Sequence, residues 1–478
     1  MKKIVLLFII HYLLLIVVCN SQPSITWQRT YDGPMHNDDW GMDVCNADNG
    51  NFYIVGSTPI AGSGYCVYVL KINPYGDTVW TRIPRTHATG NAIVSINDGG
   101  CVLTGGSNLF TIKLDADGNV IWQKTYGGSS LDCWDIIRTT DGGYIACGEQ
   151  VNVNRDGIIF KVDSLGNLQW QKNYPSPFEK SFKSIEQTND GGYIAVGYVQ
   201  DYLVDTGRAL ITKIDSVGNV AWEKQYKMIR GGEANSIKKV NGGYIVQGIT
   251  GYTFNPYLTA YPYFIRVNSL GDTTFVKTFP DDTLTFIARF NVINPNKYII
   301  GCTFDSIVAQ THDGKFIVTD SLGNVIYKKN FHSLDYMDIY SILPLPNGDI
   351  LSVGLIDNGT NTFEDIYAMR TDSILNSPPI GIKTLSRSVP VETHLFPNLP
   401  NPFNSVTYLY FQVSKGGNIL IKIYDITGKE VAVLFDGFIK QGVYKLKWDA
   451  SNFSSGIYFG VLIEGNNNLI AQKLILLK

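Results

Sequence analysis

The feature of this sequence that most constrains its fold is an internal repeat that returns at intervals of about 42 to 53 residues. One half of the repeat is an Asp-Gly-Gly-Tyr turn that leads into a short apolar strand. Copies of this half begin at Asp98, Asp141, Asp190 and Asn241, with degenerate copies at Asp48, Asn294 and Asn347. The other half has the pattern Asp-x-x-Gly-x-x-x-aromatic. Its copies begin at Asn73, Asp115, Asp163, Asp215, Asn268 and Asp320, and Asp372 opens a seventh that lacks its aromatic residue.

Each repeat reads as four short antiparallel strands. Paired glycines accept a positive φ at little steric cost, and the preceding Asp can hydrogen-bond the backbone two residues on, so the Asp-Gly-Gly turn is predicted to close a hairpin. The apolar run after it ends in glycine, which predicts a close approach of two backbones. The Asp-x-x-Gly turn is predicted to close a second hairpin. Four-stranded units at this interval are typical of β-propeller blades.

One unit is divided between the two ends of the repeat region. Trp27 to Tyr31 has the sequence of the aromatic strand that is missing after Asp372, and it has no repeat of its own. We therefore predict an all-β fold: a seven-bladed β-propeller whose last blade, from roughly residues 339 to 372, is closed by the N-terminal strand. A linear solenoid is the alternative, but it has no reason to divide one unit between its termini.

The repeated tryptophans are predicted to be structural. A Trp at the start of each outer strand buries a large apolar area between adjacent blades. The Asp-x-x-Gly-x-x-x-Trp spacing resembles the tryptophan-docking repeats of quinoprotein dehydrogenase propellers. That resemblance covers the structural turn only, because this sequence has no counterpart of that family's cofactor and metal residues. It implies the fold and not the activity.

Composition and the N-terminal segment narrow the class of protein. A net charge of −3 over 478 residues gives no electrostatic case for binding nucleic acid. Lys2 and Lys3 precede an apolar run and a small residue at Ser21, so residues 1–21 are predicted to be a signal peptide read by the Sec translocon. No later segment is long and apolar enough to predict a transmembrane span. The six remaining cysteines are scattered without zinc-site spacing and are read as buried small hydrophobic side chains.

The connections between strands predict where a ligand would bind. The Asp-Gly-Gly and Asp-x-x-Gly turns are short and lie on one face of a propeller, whereas the connections on the opposite face vary widely in length. Long, diverse loops carry function more often than uniform turns do. The interval richest in aromatic residues on that face gives the predicted ligand-binding set: Tyr252, Phe254, Tyr257, Tyr261 and Tyr263. These rings suit sugar faces or an extended peptide, and the alternative is that they pack on one another to hold a long loop.

Catalytic and metal-binding signals are weak in comparison. The sequence has no GxSxG elbow, P-loop, HExxH motif or recognisable pair of carboxylates, and no cofactor is predicted. His36, Asn37, Asp38 and Asp39, together with Asp43, could coordinate calcium through oxygen. Solvated loop polarity is the alternative account of this cluster.

The pattern changes after the repeats. Residues 376–394 read as a linker, and residues 395–478 contain short strands with turns every 8 to 12 residues, which predicts a small Ig-like β-sandwich. Several ordered motifs in this region resemble the type A C-terminal sorting domain of the type IX secretion system of Bacteroidota. The residues that carry the sorting signal in this resemblance are Pro400, Asn401, Pro402, Phe403, Gly428, Gly456, Tyr458, Lys473 and Lys478. The resemblance implies passage through the periplasm, the type IX machinery as a partner, and a final place outside the cell or on the outer-membrane surface.

The sequence therefore predicts a signal peptide (1–21), a propeller (22–375), a linker (376–394) and a sorting domain (395–478). We expect a secreted or cell-surface binding or adhesion module for a polysaccharide or protein ligand, with its site on the long-loop face. A secreted hydrolase or lyase with a site at the centre of that face is the alternative, and a structural surface protein is the second. The sequence leaves enzyme activity undecided and favours a non-enzyme.

Overall fold

The computed structural model describes residues 26–151, 154–201, 206–228, 231–251, 260–280, 285–306, 311–331, 336–357, 363–376, 382–386, 392–439, 441–464 and 468–478. Within them the fold is all-β, and a single 3-10 turn, Asp48–Gly50, is the one helical element. None of the described residues forms a helix of the length and apolarity that a membrane crossing needs.

The repeat region contributes the first 28 strands. They are β1 (Trp27–Tyr31), β2 (Trp40–Asn46), β3 (Phe52–Ile60), β4 (Gly64–Ile72), β5 (Thr78–Arg85), β6 (Thr89–Ser95), β7 (Cys101–Gly106), β8 (Asn108–Leu114), β9 (Val120–Ser129), β10 (Leu131–Arg138), β11 (Tyr144–Val151), β12 (Arg155–Val162), β13 (Leu168–Tyr174), β14 (Glu179–Gln187), β15 (Tyr193–Asp201), β16 (Thr206–Ile214), β17 (Val220–Tyr226), β18 (Gly232–Val240), β19 (Gly243–Thr250), β20 (Tyr261–Val267), β21 (Thr273–Thr278), β22 (Thr285–Asn294), β23 (Lys297–Ser306), β24 (Thr311–Asp320), β25 (Val325–Phe331), β26 (Tyr336–Pro344), β27 (Ile350–Asp357) and β28 (Asp365–Thr371).

Eight more strands follow. They are β29 (Ile382–Ser386), β30 (His394–Leu399), β31 (Val406–Val413), β32 (Gly417–Asp425), β33 (Glu430–Ile439), β34 (Gly442–Asp449), β35 (Gly456–Glu464) and β36 (Asn468–Leu476).

The repeat region folds into consecutive four-stranded antiparallel sheets. Six of them take four successive strands each, from β2–β5 through β22–β25, and another has the order β1-β28-β27-β26. Apolar clusters fill the space between successive sheets, as where Val67 and Val69 pack with Leu103 and Phe110. Because the strands of each sheet alternate in direction, the Asp-Gly-Gly and Asp-x-x-Gly turns share one end of the sheet, and the longer connections share the other.

The predicted turn chemistry is present in detail. In the Asp141 turn, Gly142 has φ 83°, and the Gly143 N–H donates to Asp141 Oδ1 at 3.1 Å. The two glycines are needed for different reasons. Gly142 supplies the left-handed conformation, whereas a Cβ at Gly143 would stand 2.3 Å from the Val162 carbonyl oxygen on the neighbouring strand.

Aromatic side chains on the fourth strands join one sheet to the next, as predicted for the repeated tryptophans. Trp80 donates its Nε1–H to the Ala116 carbonyl at 3.1 Å, and the Tyr174 hydroxyl donates to the Gly218 carbonyl at 2.8 Å. In both cases the acceptor lies in the Asp-x-x-Gly turn of the following sheet. The turns therefore serve as docking points between sheets as well as hairpin closures.

β1, at the N-terminal end of the repeat region, makes the same kind of aromatic contacts with the turn of a neighbouring sheet. β1 pairs antiparallel with β28 along its whole length. Trp27 donates its Nε1–H to the Pro74 carbonyl and Tyr31 donates its hydroxyl to the Gly76 carbonyl, both at 2.9 Å. An apolar cluster also joins the sheet of β1 to the sheet of β2–β5. The N-terminal strand thus occupies the position of a fourth strand.

A basic residue, buried in four of five cases, anchors most of the Asp-Gly-Gly turns, and this contact was not predicted from the sequence. This residue lies on the third strand, two positions before the Asp or Asn of the Asp-x-x-Gly turn. Its side-chain nitrogen lies 2.5 to 3.1 Å from a carboxylate oxygen of the Asp-Gly-Gly turn of the same sheet. The pairs are Lys71–Asp48, Lys113–Asp98, Lys161–Asp141, Lys213–Asp190 and Arg370–Asp349.

The Asp190 pair predicts an acid-dependent contribution to stability. Hydrogen bonds from Thr188 and Lys213 lower the pKa of Asp190 to about 2, from 3.8. A lowered folded-state pKa stabilises the fold above pH 4, and that contribution is lost as the pH falls from about 4 to about 2. We expect Asp190→Asn to lower the free energy of unfolding by about 0.5–1 kcal/mol at pH 6, since the Asp190 side chain is largely exposed. Thermal unfolding at pH 2, 4 and 6 should show the difference from wild type vanish at pH 2, and a difference that persists there contradicts the assignment. Asp117→Asn, in an exposed turn, is the control.

The C-terminal strands form two further four-stranded antiparallel sheets, with the orders β29-β34-β31-β30 and β33-β32-β35-β36. They enclose a shared apolar core in which Trp448 is almost fully buried. This is the small β-sandwich that the sequence predicts. The predicted linker, residues 376–394, needs correction, because β29 lies inside it and pairs with β34. The strand has five residues and stands among Pro and Gly residues, so its surroundings read as a linker in the sequence.

The cysteines of the described region are free, and five of the six are buried. Their interpretation as small hydrophobic side chains is confirmed.

Candidate ligand-binding site

One cavity lies where the first strands of the repeat-region sheets converge. Its volume is about 220 Å³, and strands β2, β6, β10, β14, β18, β22 and β26 all contribute to its wall. We call it the central cavity. Each of these strands starts at the long-loop end of its sheet, so the cavity runs from that end toward the short turns.

A β-bulge in the first strand aims one extra side chain at the central cavity. In six of the sheets the pairing between first and second strand skips one residue of the first strand. The skipped residues all line the cavity: Met42, Asn91, Trp134, Lys183, Asn235 and Tyr340. Bulges of this kind re-aim side chains and are frequent beside functional sites.

The residue after the bulge has a different role, which is to bind one first strand to another. Asp43 Oδ2 accepts from the Ile93 N–H at 2.9 Å, and its Oδ1 accepts from the Ser341 hydroxyl at 2.7 Å. Asp135 Oδ2 accepts from Ser184 and Ile185 at 2.8 and 2.9 Å. These hydrogen bonds use the carboxylates to hold the wall of the cavity together.

The environment of Asp43 is consistent with this structural role. Burial raises its pKa to about 6, and the hydrogen bonds from Ser341 and Ile93 oppose that rise. Both of its oxygens already accept hydrogen bonds. The two carboxylates of the wall, Asp43 and Asp135, therefore act as staples between strands.

The bulged Lys183 lies in a cluster of aromatic and charged groups. Its Nζ is 4.0 Å from the centre of the Trp134 ring and 5.6 Å from that of Tyr198. Glu149, almost fully buried, approaches Lys183 at 3.8 Å and Arg155 at 2.6 Å. The Trp134 Nε1–H is buried and has no hydrogen-bond acceptor in the described residues. A cation, an aromatic face and an unused donor thus meet at one point of the wall.

The positive groups of the cavity are unequally compensated. Burial lowers the pKa of Lys183, and Glu149 and Glu233 offset only part of that effect. Burial also lowers the pKa of Arg289, and the carboxylates of Glu233 and Asp43 offset part of that effect. Lys238 behaves differently, because the effect of burial is outweighed by Glu186 and its pKa is raised. The sector with Lys183 and Arg289 would therefore gain from an incoming negative charge.

The aromatic set predicted to bind a ligand is only partly described. Tyr252, Phe254 and Tyr257 lie outside the described residues. Tyr261 is half-buried and lines an apolar pocket of about 410 Å³ together with Tyr226 and Met228.

Tyr263 is a correction to that set. It is fully buried between its sheet and the preceding one, and its hydroxyl donates to the Glu233 carbonyl at 2.9 Å. It lies on β20 and not in a loop, so its ring is part of the core and cannot contact a ligand.

The cluster predicted to bind calcium also separates. Asp43 lies in the wall of the central cavity, where it bonds to neighbouring strands, so it does not belong to the predicted calcium cluster. His36, Asp38 and Asp39 lie in the connection between β1 and β2. Asp38 Oδ1 accepts from the Glu364 N–H at 3.2 Å.

The residues predicted to carry the sorting signal hold the last strand of the C-terminal sandwich. The side chain of Asn401 donates to the Lys473 carbonyl and accepts from the Ile475 N–H, both at 2.9 Å. The Phe403 N–H donates to the Ile475 carbonyl at 2.9 Å, and its ring packs on Trp448. Pro400 and Pro402 flank Asn401, and each follows a cis peptide bond.

The other predicted sorting residues lie in turns or at the chain end. Gly428 has φ 79° in the turn after β32, and Gly456 opens β35. The Tyr458 hydroxyl donates to the Ser454 carbonyl at 2.8 Å. Lys473 and Lys478 are exposed. Their role in sorting stays a prediction.

The sequence reasoning missed the bulged residues of the cavity. Their signal was present, because each of Trp134, Lys183, Asn235 and Tyr340 stands directly before a Ser or Asp followed by Ile. Aligning the first strands on that pair would have singled out the preceding position as the one that varies most in chemistry.

Together, the structure defines an all-β protein of repeated four-stranded sheets around a central cavity, followed by a β-sandwich. Residues 399–477 match the family described as the secretion system C-terminal sorting domain. This match supports the assignment of the chain as a cargo of the type IX secretion system, and it indicates export to the cell surface or the extracellular space. A search of curated protein sequences finds no match.

Several solved structures are similar in fold. A streptogramin B lyase is 12% identical, with 72% of this chain and 97% of that chain covered and a TM-score of 0.45. YCF48 bound to a D1 peptide is 10% identical, with 73% and 96% covered and a TM-score of 0.45. PorZ, a surface component of the type IX secretion system of Porphyromonas gingivalis, is 14% identical, with 93% and 60% covered and a TM-score of 0.39. At these identities none of them assigns an activity to this chain.

Proposed function

We propose that this protein is a secreted or surface-attached binding module that recognises acidic sugar units of an extracellular polysaccharide. In this proposal residues 22–375 form one closed seven-bladed propeller, and residues 395–478 are the sorting domain. The ligand enters the central cavity from the long-loop end and meets Trp134, Lys183 and Arg289.

The observation that carries the proposal is the contrast between two adjacent positions in the repeat. The residue after the bulge is small or acidic and holds strands together, whereas the bulged residue varies among apolar, aromatic, amide and basic side chains, all aimed into one cavity. A scaffold position is expected to repeat its chemistry. A position that varies within a fixed geometry is expected to serve recognition.

The chemistry of that wall favours an acidic saccharide. The Trp134 ring and its unused Nε1–H suit the face and the hydroxyl oxygens of a sugar. Lys183 and Arg289, whose pKa values burial lowers, gain from a carboxylate or sulfate group. Asn91 and Asn235 add amide groups to the same wall.

The closed ring is supported by the contacts of the first strand. Apolar clusters join each sheet to the next, and the cluster of Trp27, Leu351 and Ile366 with Phe52 and Tyr68 joins the last sheet to the first. One cavity shared by all the first strands also favours a ring over an open array.

A binding screen with full-length protein tests the proposed function. The probes are polygalacturonate, alginate and hyaluronan, with dextran and galactomannan as neutral polysaccharides. We expect acidic polysaccharides to bind more tightly than neutral ones, and Lys183→Met or Trp134→Ala to weaken that binding roughly tenfold or more. Lys124→Met, on the exposed face of β9, is the matched control and should bind as wild type. Tyr261→Ala measures the contribution of the aromatic set predicted from the sequence, of which Tyr261 is the described member outside the core.

Three results would overturn the proposal. The first is the absence of binding to every acidic polysaccharide, with or without binding to peptides. The second is undiminished binding by variants whose melting temperatures equal that of wild type. The third is the release of shortened polysaccharide products, which would favour the hydrolase or lyase.

A further inference from the structure

Three carboxylates meet where the two ends of the repeat region come together. Asp32 directly follows β1, Asp39 directly precedes β2, and Asp365 opens β28. One oxygen from each lies within 4.8 Å of the others. Because β1 pairs with β28, its last residues lie beside the start of β28, and this pairing brings Asp32 and Asp365 together.

The loop that carries Asp39 is fixed by hydrogen bonds. The Asp39 N–H donates to the Glu364 carbonyl at 2.7 Å, and the Trp40 indole donates to the Glu364 carboxylate at 2.8 Å. The Gly33 N–H donates to Asp39 Oδ2 at 2.5 Å. The carboxylate of Asp39 is therefore held in place from both sides.

Two buried oxygens beside this carboxylate make no hydrogen bond within the described residues. They are Asp39 Oδ1 and the Thr58 hydroxyl oxygen, and both residues are fully buried. A Cβ at Gly33 would stand 2.3 Å from the first and 2.4 Å from the second, so both face the same space. The Thr58 hydroxyl lies close enough to the Asp39 carboxylate to oppose the rise in its pKa, although the pair does not meet the geometry of a hydrogen bond. Buried polar atoms left without a partner cost free energy, and a bound cation would satisfy both.

Negative charge accumulates in this cluster, so its carboxylates raise one another's pKa. Burial raises the pKa of Asp39 to about 6, the Thr58 hydroxyl and the Gly33 N–H oppose that rise, and Asp32 and Asp38 add to it. Burial likewise raises the pKa of Asp365 to about 6. Among the described residues, the exposed His36 hydrogen-bonds one of the three carboxylates, that of Asp32. The adjoining interval 358–362 contains no Lys or Arg in its sequence.

We propose that Asp32, Asp39 and Asp365, with the Thr58 hydroxyl, bind one calcium ion that ties the connection after β1 to the start of β28. All four groups offer oxygen, which is the donor that Ca²⁺ prefers, and three carboxylates give the charge that a divalent site needs. Zn²⁺ favours nitrogen and sulfur ligands over an all-oxygen set, and Mg²⁺ tolerates an irregular loop geometry less well. The ion would fasten the N-terminal strand to the last sheet.

The experiment titrates full-length protein with metal ions. Isothermal titration calorimetry gives the number of ions bound, and thermal unfolding gives the change in melting temperature. We expect the wild type to bind one calcium ion per chain more than the Asp32→Asn and Asp365→Asn variants bind. We also expect 10 mM CaCl₂ to raise the melting temperature by roughly 3–11 °C over EDTA, for a dissociation constant of about 0.1–1 mM. Asp32→Asn and Asp365→Asn should each remove most of that shift. MgCl₂ at the same concentration should give less than half of it.

The controls separate loss of the site from loss of the fold. Asp32 is partly exposed, so Asp32→Asn is expected to fold even if Asp39→Asn does not. Asp117→Asn, in an exposed turn of another sheet, should keep the full shift. No calcium-dependent shift in the wild type, an equal shift in the Asp32 and Asp365 variants, or binding of Zn²⁺ in preference to Ca²⁺ would each overturn the proposal.

Discussion

Gly197→Ala is expected to destabilise the protein by about 3 kcal/mol, although it adds a single methyl group. A Cβ at this position would stand 1.8 Å from the Ser181 carbonyl oxygen and 2.9 Å from the Phe182 Cα. Both neighbours are backbone atoms of β14 just before the bulge at Lys183, so relief requires the two strands to separate. The measurement is the midpoint of guanidinium unfolding, followed by circular dichroism.

A matched glycine shows whether the effect comes from the clash. Gly128 lies on the exposed strand β9, and a Cβ there would meet nothing within 4 Å, so Gly128→Ala should change stability by less than about 0.5 kcal/mol. Equal effects of the two substitutions would contradict the assignment. Since Gly197 faces the bulge, we also expect Gly197→Ala to weaken any ligand binding that depends on Lys183.

Removal of β1 is expected to have a still larger effect. Deleting residues 26–31 removes Trp27, which is 2% exposed, and Tyr31, which is 8% exposed. Loss of a buried large aromatic side chain costs about 3–5 kcal/mol, so the pair approaches the whole stability of a typical domain. The deletion also uncovers the backbone edge of β28, which can then pair with other chains.

Size-exclusion chromatography and circular dichroism test this expectation. The variant that lacks residues 26–31 should elute as aggregates or oligomers, or melt at least 10 °C below the parent protein. The temperature follows from a shift of about 2–4 °C for each kcal/mol of stability lost. A protein that begins at residue 26, and so retains β1, is the control. A monomeric deletion variant with an unchanged melting temperature would show that β1 is dispensable.

The repetitive parts of the fold were predictable because local chemistry determines them. Gly197 ends the apolar run of its repeat, and its predicted close backbone approach is confirmed by the Ser181 contact. The tryptophan contacts between sheets were predicted from their spacing alone and are confirmed for Trp80. Glycine, aspartate and tryptophan at fixed offsets carry this information within a single repeat.

The candidate sites were less predictable, because they depend on which strands come together. The repeat of Lys183 does not by itself show that this residue is skipped in the pairing, and the signal emerges only when the first strands of several repeats are aligned. Asp365 could join Asp32 only once the register of β1 on β28 was known. Tyr263 was misjudged as a loop residue because the start of β20 lies within an aromatic-rich interval.

The pairing of β1 with β28 has a consequence for the order in which the molecule can be completed. The Tyr367 hydroxyl donates to Gln28 Oε1 at 2.6 Å across 339 positions of sequence, whereas hairpin strands elsewhere meet within a few residues. Bringing such distant segments together costs roughly 4 kcal/mol more than closing a hairpin of a few residues, at about 0.6 kcal/mol for each doubling of the loop. During synthesis or transport the first strand therefore remains unpaired until β28, the last strand of the repeat region, has emerged. The sorting residues follow that partner in the chain, so the export address becomes readable only after every strand needed to finish the repeat region has been made.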